Sequence, residues 1–453
     1  MSLYLYPILI LAILGLPLFC VLGAIGLAGL HVGGTNLATG LADVYRLAGA
    51  EAVSLSTIPL FTFAGYLMAK ARSAERLVTI GEAMFGPIPG GLAIMTVWTC
   101  AFFTIFTGAS GVTIVALGGL LLPQLEKVGN SKRFSLEVVT GSGAVGLLFP
   151  PSLPLIVYGI IFALTAGHAN EGGETISFAI DRFLFAGIVP GIILLINLSI
   201  YCAIVGLKQR VPRTAFDFKK LVKGIWAAKW ELPIPFVIIA LLVTGRAVIP
   251  ELAALTALYV FVCEVFIYRE VNLRRDLITV SRESMTLVGA IFMKIAAATI
   301  LTAFFVDEGI PQKLFEFLST FVHTSTGFLL VLNVVLLLVG CLMDIFSAII
   351  VVVPLIVPAA KQYHIDPYHL GVIFLLNLEI GYLLPPAGLN LFIAAFRFRR
   401  PIVELYRAVV PFILIMLATL MLVTYVPKLV WVPELKPVET KAGTAPKPAA
   451  DVP

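Results

Sequence analysis

Charge is what this sequence lacks most. Only 13% of its residues are Asp, Glu, Lys or Arg, about half the roughly 25% of an average soluble chain. A single soluble core stops growing at about 250–300 residues. A chain of 453 residues that is 60% apolar therefore has no interior large enough to hide its side chains from water, and lipid must be the solvent for much of its surface. Cysteine is scarce as well. Cys20, Cys100, Cys202, Cys263 and Cys341 lie far apart in or beside apolar runs, with no CxxC pair, and read as small buried hydrophobes rather than a disulfide framework. The five histidines fall mostly in loops; His364 and His369 straddle Pro367, which is no helical metal spacing, so no metal centre is expected. No GxxxxGK(S/T) loop occurs, which excludes ATP-driven pumping by this chain itself. No Ser/His/Asp or metalloprotease spacing argues for an intramembrane enzyme. No Lys or Arg precedes the first apolar stretch, from Leu3 to Leu30. That stretch is too long for the apolar region of a signal peptide and is expected to be a retained first span.

What is present is a succession of apolar runs. A bilayer core of roughly 30 Å takes about 20 apolar residues of helix. Nine such runs fall at about 4–30, 53–70, 135–166, 183–206, 231–248, 250–269, 284–305, 369–396 and 405–430. Two further stretches, 88–123 and 326–360, are too long for one span and are interrupted by TGASGVT from Thr107 and CLMDIFS from Cys341. Each is either two complete spans or a re-entrant hairpin of two half-length helices, and the polar midpoints favour hairpins. Either choice leaves the parity unchanged. With hairpins, 21 of the 31 Lys and Arg fall in loops on one side and nine on the other, with Lys294 inside a span. This asymmetry accounts for the net charge of +5 and places the amino terminus in the cytoplasm and the carboxy terminus on the far side of the membrane. The acidic HANEGGETISFAID segment from His168 is expected outside, and the Pro-, Ala- and Lys-rich residues 431–453 are expected to form a disordered external tail.

One offset relates the two interrupted regions. Pro123 and Pro358, Gly146 and Gly381, Pro150 and Pro385, and Pro151 and Pro386 each differ by 235. Five crossings separate the start of one unit from the start of the next, so the second is inverted relative to the first, as in secondary transporters with a site at the bilayer midplane. The expected organisation is a first span and external loop (1–52), repeat unit one (53–166), scaffold spans (167–283), repeat unit two (284–397), a last span (398–430) and the tail. The fold class is thus an all-α polytopic membrane protein with about nine full spans and two re-entrant hairpins.

The Pro-Pro pairs locate the chemistry. A Pro-Pro in mid-span removes two helix donors and forces the preceding residue out of helical geometry, and the freed carbonyls need a partner that protein or a water-filled site must supply. Sodium is such a partner. The first tip offers Thr107, Gly108, Ser110, Gly111 and Thr113, and its broken span Ser142, Gly146 and Ser152; the second offers Asp344 and Ser347, and its broken span Asn377, Gly381, Pro386, Gly388 and Asn390. One cluster per half predicts one sodium site per half: Thr107, Gly108, Ser110, Ser142 and Gly146 in the first, Asp344, Asn377, Gly381 and Pro386 in the second. Helix amino termini at the tips suit a substrate carboxylate, with Ser110, Gly111, Ser152, Asp344, Gly388 and Asn390 as the candidate contacts. Three ionisable residues, Lys294, Asp344 and Glu379, lie at depth, where charge is costly and functional by default. Glu379 is the expected partner of Lys294 where that lysine serves structure alone.

The segments FTGASGVTIVALGG, GLLFPPSLPLIVYG, DIFSAIIVVVPLIVPAA and IDPYHLGVIFLLNLEIGYLLPPAGLNLF resemble the large membrane subunit of tripartite ATP-independent periplasmic (TRAP) transporters, and the resemblance runs from about residue 5 to 430. It implies a small four-helix membrane subunit as a separate chain, a periplasmic solute-binding protein, and an elevator movement of hairpins and broken spans against a scaffold. It also implies import of a small carboxylate, such as a dicarboxylate, coupled to sodium, with no other cofactor. The family's frequent Ser-Gly-Ser-Ser tip is replaced here by Thr107-Gly108-Ala109-Ser110, so Ala109 offers only backbone. A stand-alone sodium/dicarboxylate symporter shares the architecture but typically carries Ser-Asn-Thr at its tips, absent here. A non-transporting scaffold or sensor subunit would tolerate loss of the polar tip residues.

Overall fold

The structure, a computed structural model, describes residues 2–434 other than 35–37, 39, 41, 43, 46–54, 170–177 and 214. Most of the acidic external segment and residues 435–453 of the tail lie outside the described residues. All regular structure among the described residues is helical.

Helix α1 (Ser2–Ile13) and α2 (Leu18–Val32) divide the expected first span in two. The division has a local cause: Gly15 sits at φ +97° and Pro17 withholds a backbone donor. Next come α3 (Thr57–Lys70), α4 (Ser73–Phe85), α5 (Gly91–Thr107), α6 (Ser110–Lys127), α7 (Lys132–Gly141) and α8 (Leu153–Ala169). A middle group follows: α9 (Ile180–Ala186), α10 (Ile188–Lys208), α11 (Phe218–Ala227), α12 (Pro233–Val243) and α13 (Ile249–Val262). The chain continues with α14 (Asp276–Asp307), α15 (Ile310–Phe321), α16 (Ser325–Leu342), α17 (Ile345–Gln362), α18 (Pro367–Gly381), α19 (Leu389–Phe398) and α20 (Ile402–Tyr425).

Among the described residues, six helical segments are long and apolar enough to cross a membrane, or seven when the bent pair Lys132–Leu148 and Leu153–Ala166 counts as one span. This is fewer than the nine full spans expected, because several apolar runs are not continuous helix. The run at 231–248 holds only the 11 residues of α12, that at 53–70 the 14 of α3, and that at 369–396 is divided between α18 and α19. The hairpin arms depart in the other direction. They are not half-length: α5 has 17 residues and α6, α16 and α17 have 18 each, about 27 Å at 1.5 Å per residue.

The offset of 235 reaches the local signals that set the elements. Helices α6 and α17 begin at Ser110 and Ile345 and have equal length. Helices α7 and α18 begin at Lys132 and Pro367, behind N-caps Ser131 and Asp366, whose side chains accept from Phe134 N and His369 N. Both broken spans carry a cis Pro-Pro bond, at 150–151 and 385–386. In each half the broken span meets its hairpin at one glycine: a Cβ on Gly146 would stand 2.2 Å from the Ala101 carbonyl oxygen, and one on Gly381 2.5 Å from Gly340 backbone. No side chain fits at either place. The halves then interlock. Helix α8 packs on α17 of the second hairpin, and α19 packs on α6 of the first, which brings the two tips to one place.

Candidate functional site

The two tips open on one cavity of about 1860 Å³. The first contributes Gly108 to Val112 and the second Asp344 to Phe346, with Leu147 and Tyr382 from the two breaks. Helices α14 and α19 form the walls, and Lys70, Arg282, Glu283, Arg397, Arg399 and Arg400 form a charged rim.

At the first tip, Gly108 ends α5 at φ 60°, the left-handed turn that reverses the chain without strain. Ala109 is extended, and α6 begins at Ser110 with no side chain capping its first N–H groups. The hydroxyl of Ser110 donates to Asn390 Oδ1 on α19 at 2.7 Å. Both residues are buried, and the Asn390 Nδ2 group has no partner among the described residues. Gly111 faces Ile393 and completes an uncharged tip whose backbone donors, flanked by a positive helix end, are suited to an anion.

Behind this tip lies a knot of oxygens. Thr104 Oγ1 stands 2.7 Å from Thr113 Oγ1, 2.9 Å from the Gly143 carbonyl and 2.7 Å from the Cys100 carbonyl. Thr107 Oγ1 is 3.4 Å from Thr113 Oγ1, and all three threonines are buried. Each hydroxyl has one proton, so Thr104 cannot donate to every oxygen around it. The broken span supplies Gly143, and the excess of lone pairs over protons is what a small hard cation would satisfy. Thr107 belongs to this knot. Ser142 is turned back to the Val138 carbonyl at 2.5 Å, Ser152 to the Leu147 carbonyl, and Gly146 supplies the close approach already described. Thr104 was not singled out from the sequence, because a helical threonine ordinarily bonds to the preceding turn. Its spacing of three from Thr107, opposite Gly143, was the available signal.

The second tip is built differently. Asp344 caps α17, accepting from Ser347 N at 3.1 Å and from the Ser347 hydroxyl. Lys294 Nζ donates to Asp344 Oδ1 at 2.9 Å, and the Tyr382 hydroxyl accepts the Ile345 N–H. The Ile345 and Ser347 N–H groups at the start of α17 are therefore engaged by the protein itself, and Lys294 spends one of its three donors on Asp344. Lys294 pairs with Asp344 and not with Glu379, which corrects the pairing expected from the sequence: the two acids sit on different helices, α17 and α18, and only the tip reaches α14. Glu379 is fully buried, with neither carboxylate oxygen hydrogen-bonded among the described residues.

Asn377 is not brought to the second tip. Its Nδ2 donates to Asn333 Oδ1 at 2.7 Å and to the Ile373 carbonyl at 2.8 Å. Asn333 Nδ2 in turn donates to Thr424 on α20 at 3.2 Å, so this chain of amides leads away from the cavity. Gly381 is spent on close packing, the Pro386 carbonyl accepts from the Tyr406 hydroxyl at 2.6 Å, and Gly388 is the residue before α19.

Two broken spans, two polar tips and one shared cavity define a membrane transporter. The sequence comparisons agree. The family described as tripartite ATP-independent periplasmic transporter, DctM component, matches residues 5–429. The chain is 33% identical over 383 residues to the C4-dicarboxylate TRAP transporter large permease protein DctM of Rhodobacter capsulatus, covering 84% of this chain and 86% of that one. It is 30% identical over 417 residues to the isethionate TRAP transporter permease protein DctMQ of Oleidesulfovibrio alaskensis, covering 92% of this chain but only 63% of the relative's length. It is 29% identical over 428 residues to the ectoine/5-hydroxyectoine TRAP transporter large permease protein UehC of Ruegeria pomeroyi, 93% and 95% of the two chains. The solved YdaH transporter of Alcanivorax borkumensis shares the fold, with a TM-score of 0.63 at 15% identity over 87% of this chain and 88% of that one. The chain belongs to the DctM family: it is a TRAP large permease, a multi-pass inner-membrane transport subunit and not an enzyme.

Proposed function

We propose that this permease imports a small organic acid, of the carboxylate class and a C4-dicarboxylate in the first instance, driven by a sodium gradient. The observation that carries the reading is the meeting in one cavity of the uncapped α6 terminus, Ser110 with the buried Asn390 bonded behind it, and the Asp344–Lys294 pair. One carboxylate of the substrate is assigned to the Ser110 and Gly111 N–H groups and the Asn390 amide. A second reaches Lys294, an ammonium with three donors. Sodium, as the co-transported ion, is assigned to the Thr104, Thr107 and Thr113 hydroxyls with the Gly143 carbonyl. In the second half the proposed ligands are Asp344 and backbone carbonyls between Gly381 and Pro386, since Asn377 is turned toward Asn333.

The proposed partners are a small four-helix membrane subunit as a separate chain and a periplasmic solute-binding protein that delivers substrate. The relative named permease protein DctMQ, of whose length this chain covers only 63%, supports the first. The hairpins and broken spans are proposed to travel as an elevator against a scaffold that includes residues 1–52, 167–283 and 398–430. With the amino terminus in the cytoplasm, the arginine rim marks the cytoplasmic mouth, and the cavity is the inward-facing state.

The test is uptake of labelled organic acids into proteoliposomes holding this chain and its small subunit, with and without inward sodium and with and without the binding protein. Uptake that needs both supports the reading. Uptake with sodium alone would replace it with a stand-alone symporter, and no uptake of any acid would leave a scaffold or sensor subunit.

A further inference from the structure

The segment between α10 and α12 has no part in the cavity, yet it is the most basic stretch of the chain. Residues 208–230 hold seven Lys and Arg against the single acid Asp217. Within it α11 is amphipathic in an unusual direction, because its apolar face is not against the protein. Phe218 is 65% exposed, Val222 47%, Ile225 44% and Trp226 69%. On a helix of 3.6 residues per turn these four share one arc, Lys219, Lys220 and Lys223 occupy the next, and Gly224 lies on the far side.

Three contacts hold α11 in that orientation. Gly224 is buried against Ile80 of α4, Lys220 Nζ pairs with Glu82 of α4 at 2.7 Å, and the Ala227 carbonyl accepts from the Tyr268 hydroxyl at 2.7 Å. Lys229 Nζ lies over the rings of Trp226 and Trp230, 4.0 and 5.5 Å from their centroids. Since α10 ends and α12 begins beside it, α11 sits at one membrane surface. An apolar arc beside a lysine arc, bounded by tryptophan, is the composition that lies in the plane of a lipid headgroup layer. Charge complementarity selects an anionic layer.

We infer that α11 is an interfacial binding site for anionic glycerophospholipid, seating its Phe218–Trp226 arc among acyl chains and its lysines on the phosphates. The site touches the transport machinery at one remove. Its two contacts to α4 fix the helix that leads through Gly86–Gly90 into α5, so headgroup charge bears on the base of the first hairpin and uptake should rise with the anionic fraction of the bilayer.

The experiment uses the purified full chain in nanodiscs of equal parts phosphatidylcholine and phosphatidylglycerol, with one or the other brominated at a shallow acyl position. The signal is the tryptophan fluorescence lost on Trp226→Phe. Brominated phosphatidylglycerol is expected to quench that signal about twofold more than brominated phosphatidylcholine, aqueous iodide to quench it little, and Lys219→Gln with Lys223→Gln to abolish the preference. The comparison of the two brominated lipids needs only the parent chain and Trp226→Phe, so a poorly folding lysine variant does not blunt it. Equal quenching by both lipids overturns the anionic site. Quenching by iodide shows a water-exposed face, and protection that appears only when the small subunit is present shows a protein-docking face; either result also overturns it.

Discussion

The two hairpin tips occupy matched places in a repeated scaffold and have opposite chemistry. Tip one, Thr107 to Gly111, is uncharged, ends its turn on a left-handed glycine and leaves the first N–H groups of α6 without a cap. Tip two supplies its own cap from Asp344 and Tyr382 and neutralises Asp344 with Lys294. A repeat therefore conserves the places where the chain must break, while the polar groups set into each break diverge. On the proposed reading, tip one receives the anionic substrate at these uncapped N–H groups. Tip two carries an ion pair from α14 to the hairpin, which the proposed reading treats as a latch.

The largest effect should come from undoing the latch. Asp344→Ala uncaps α17 and leaves Lys294 unpaired, and sodium-driven uptake is expected to fall by about a hundredfold. Adding Lys294→Ala should recover the yield of folded protein without recovering transport; unchanged uptake in the single variant would remove tip two from the mechanism. Ser110→Ala at tip one breaks the link to Asn390 and should weaken substrate, raising its KM by about tenfold. The contrast between the tips predicts a much smaller KM change for Ser347→Ala. Thr104→Val removes one oxygen from the threonine knot and should raise the sodium concentration for half-maximal uptake by about fivefold, with substrate KM nearly constant at saturating sodium. A matched rise in both values would merge the knot with the substrate site. The smallest effect on transport is expected from Tyr382→Phe, which leaves the Ile345 N–H without its acceptor and should act on stability instead, at a cost of about 1–2 kcal/mol, read as a lowered melting temperature in detergent.

The places where the helices break were legible in the sequence, because interrupting a membrane helix demands Pro and Gly wherever it occurs. The offset of 235 between Pro150 and Pro385 survives into the cis bonds and the helix starts. Span length was less legible. An apolar run such as 4–30 looks continuous to a count of hydropathy, although Gly15 and Pro17 divide it. At the site, composition named Ser110, Asn390, Asp344 and Lys294 but not their pairing, since Ser110 and Asn390 are 280 residues apart. Lys294 had two acids to choose from, and only the packing of α14 against the second hairpin decides between them. Asn377 was misplaced for a related reason: its helix was right, but its side chain answers to Asn333 on the neighbouring arm. Thr104 was hidden because its bond to Cys100 is the ordinary one for a helical threonine.

The crosswise packing of α8 on α17 and of α19 on α6 also bears on biogenesis. During synthesis the first hairpin enters the bilayer long before Phe398, the last residue of its seat on α19, leaves the ribosome. Until then the part of α6 that seats α19 lacks its partner helix. Each half thus completes the packing of the other, and a chain truncated before α19 is expected to present the quality-control proteases of the membrane with an open hairpin in place of a half-working transporter.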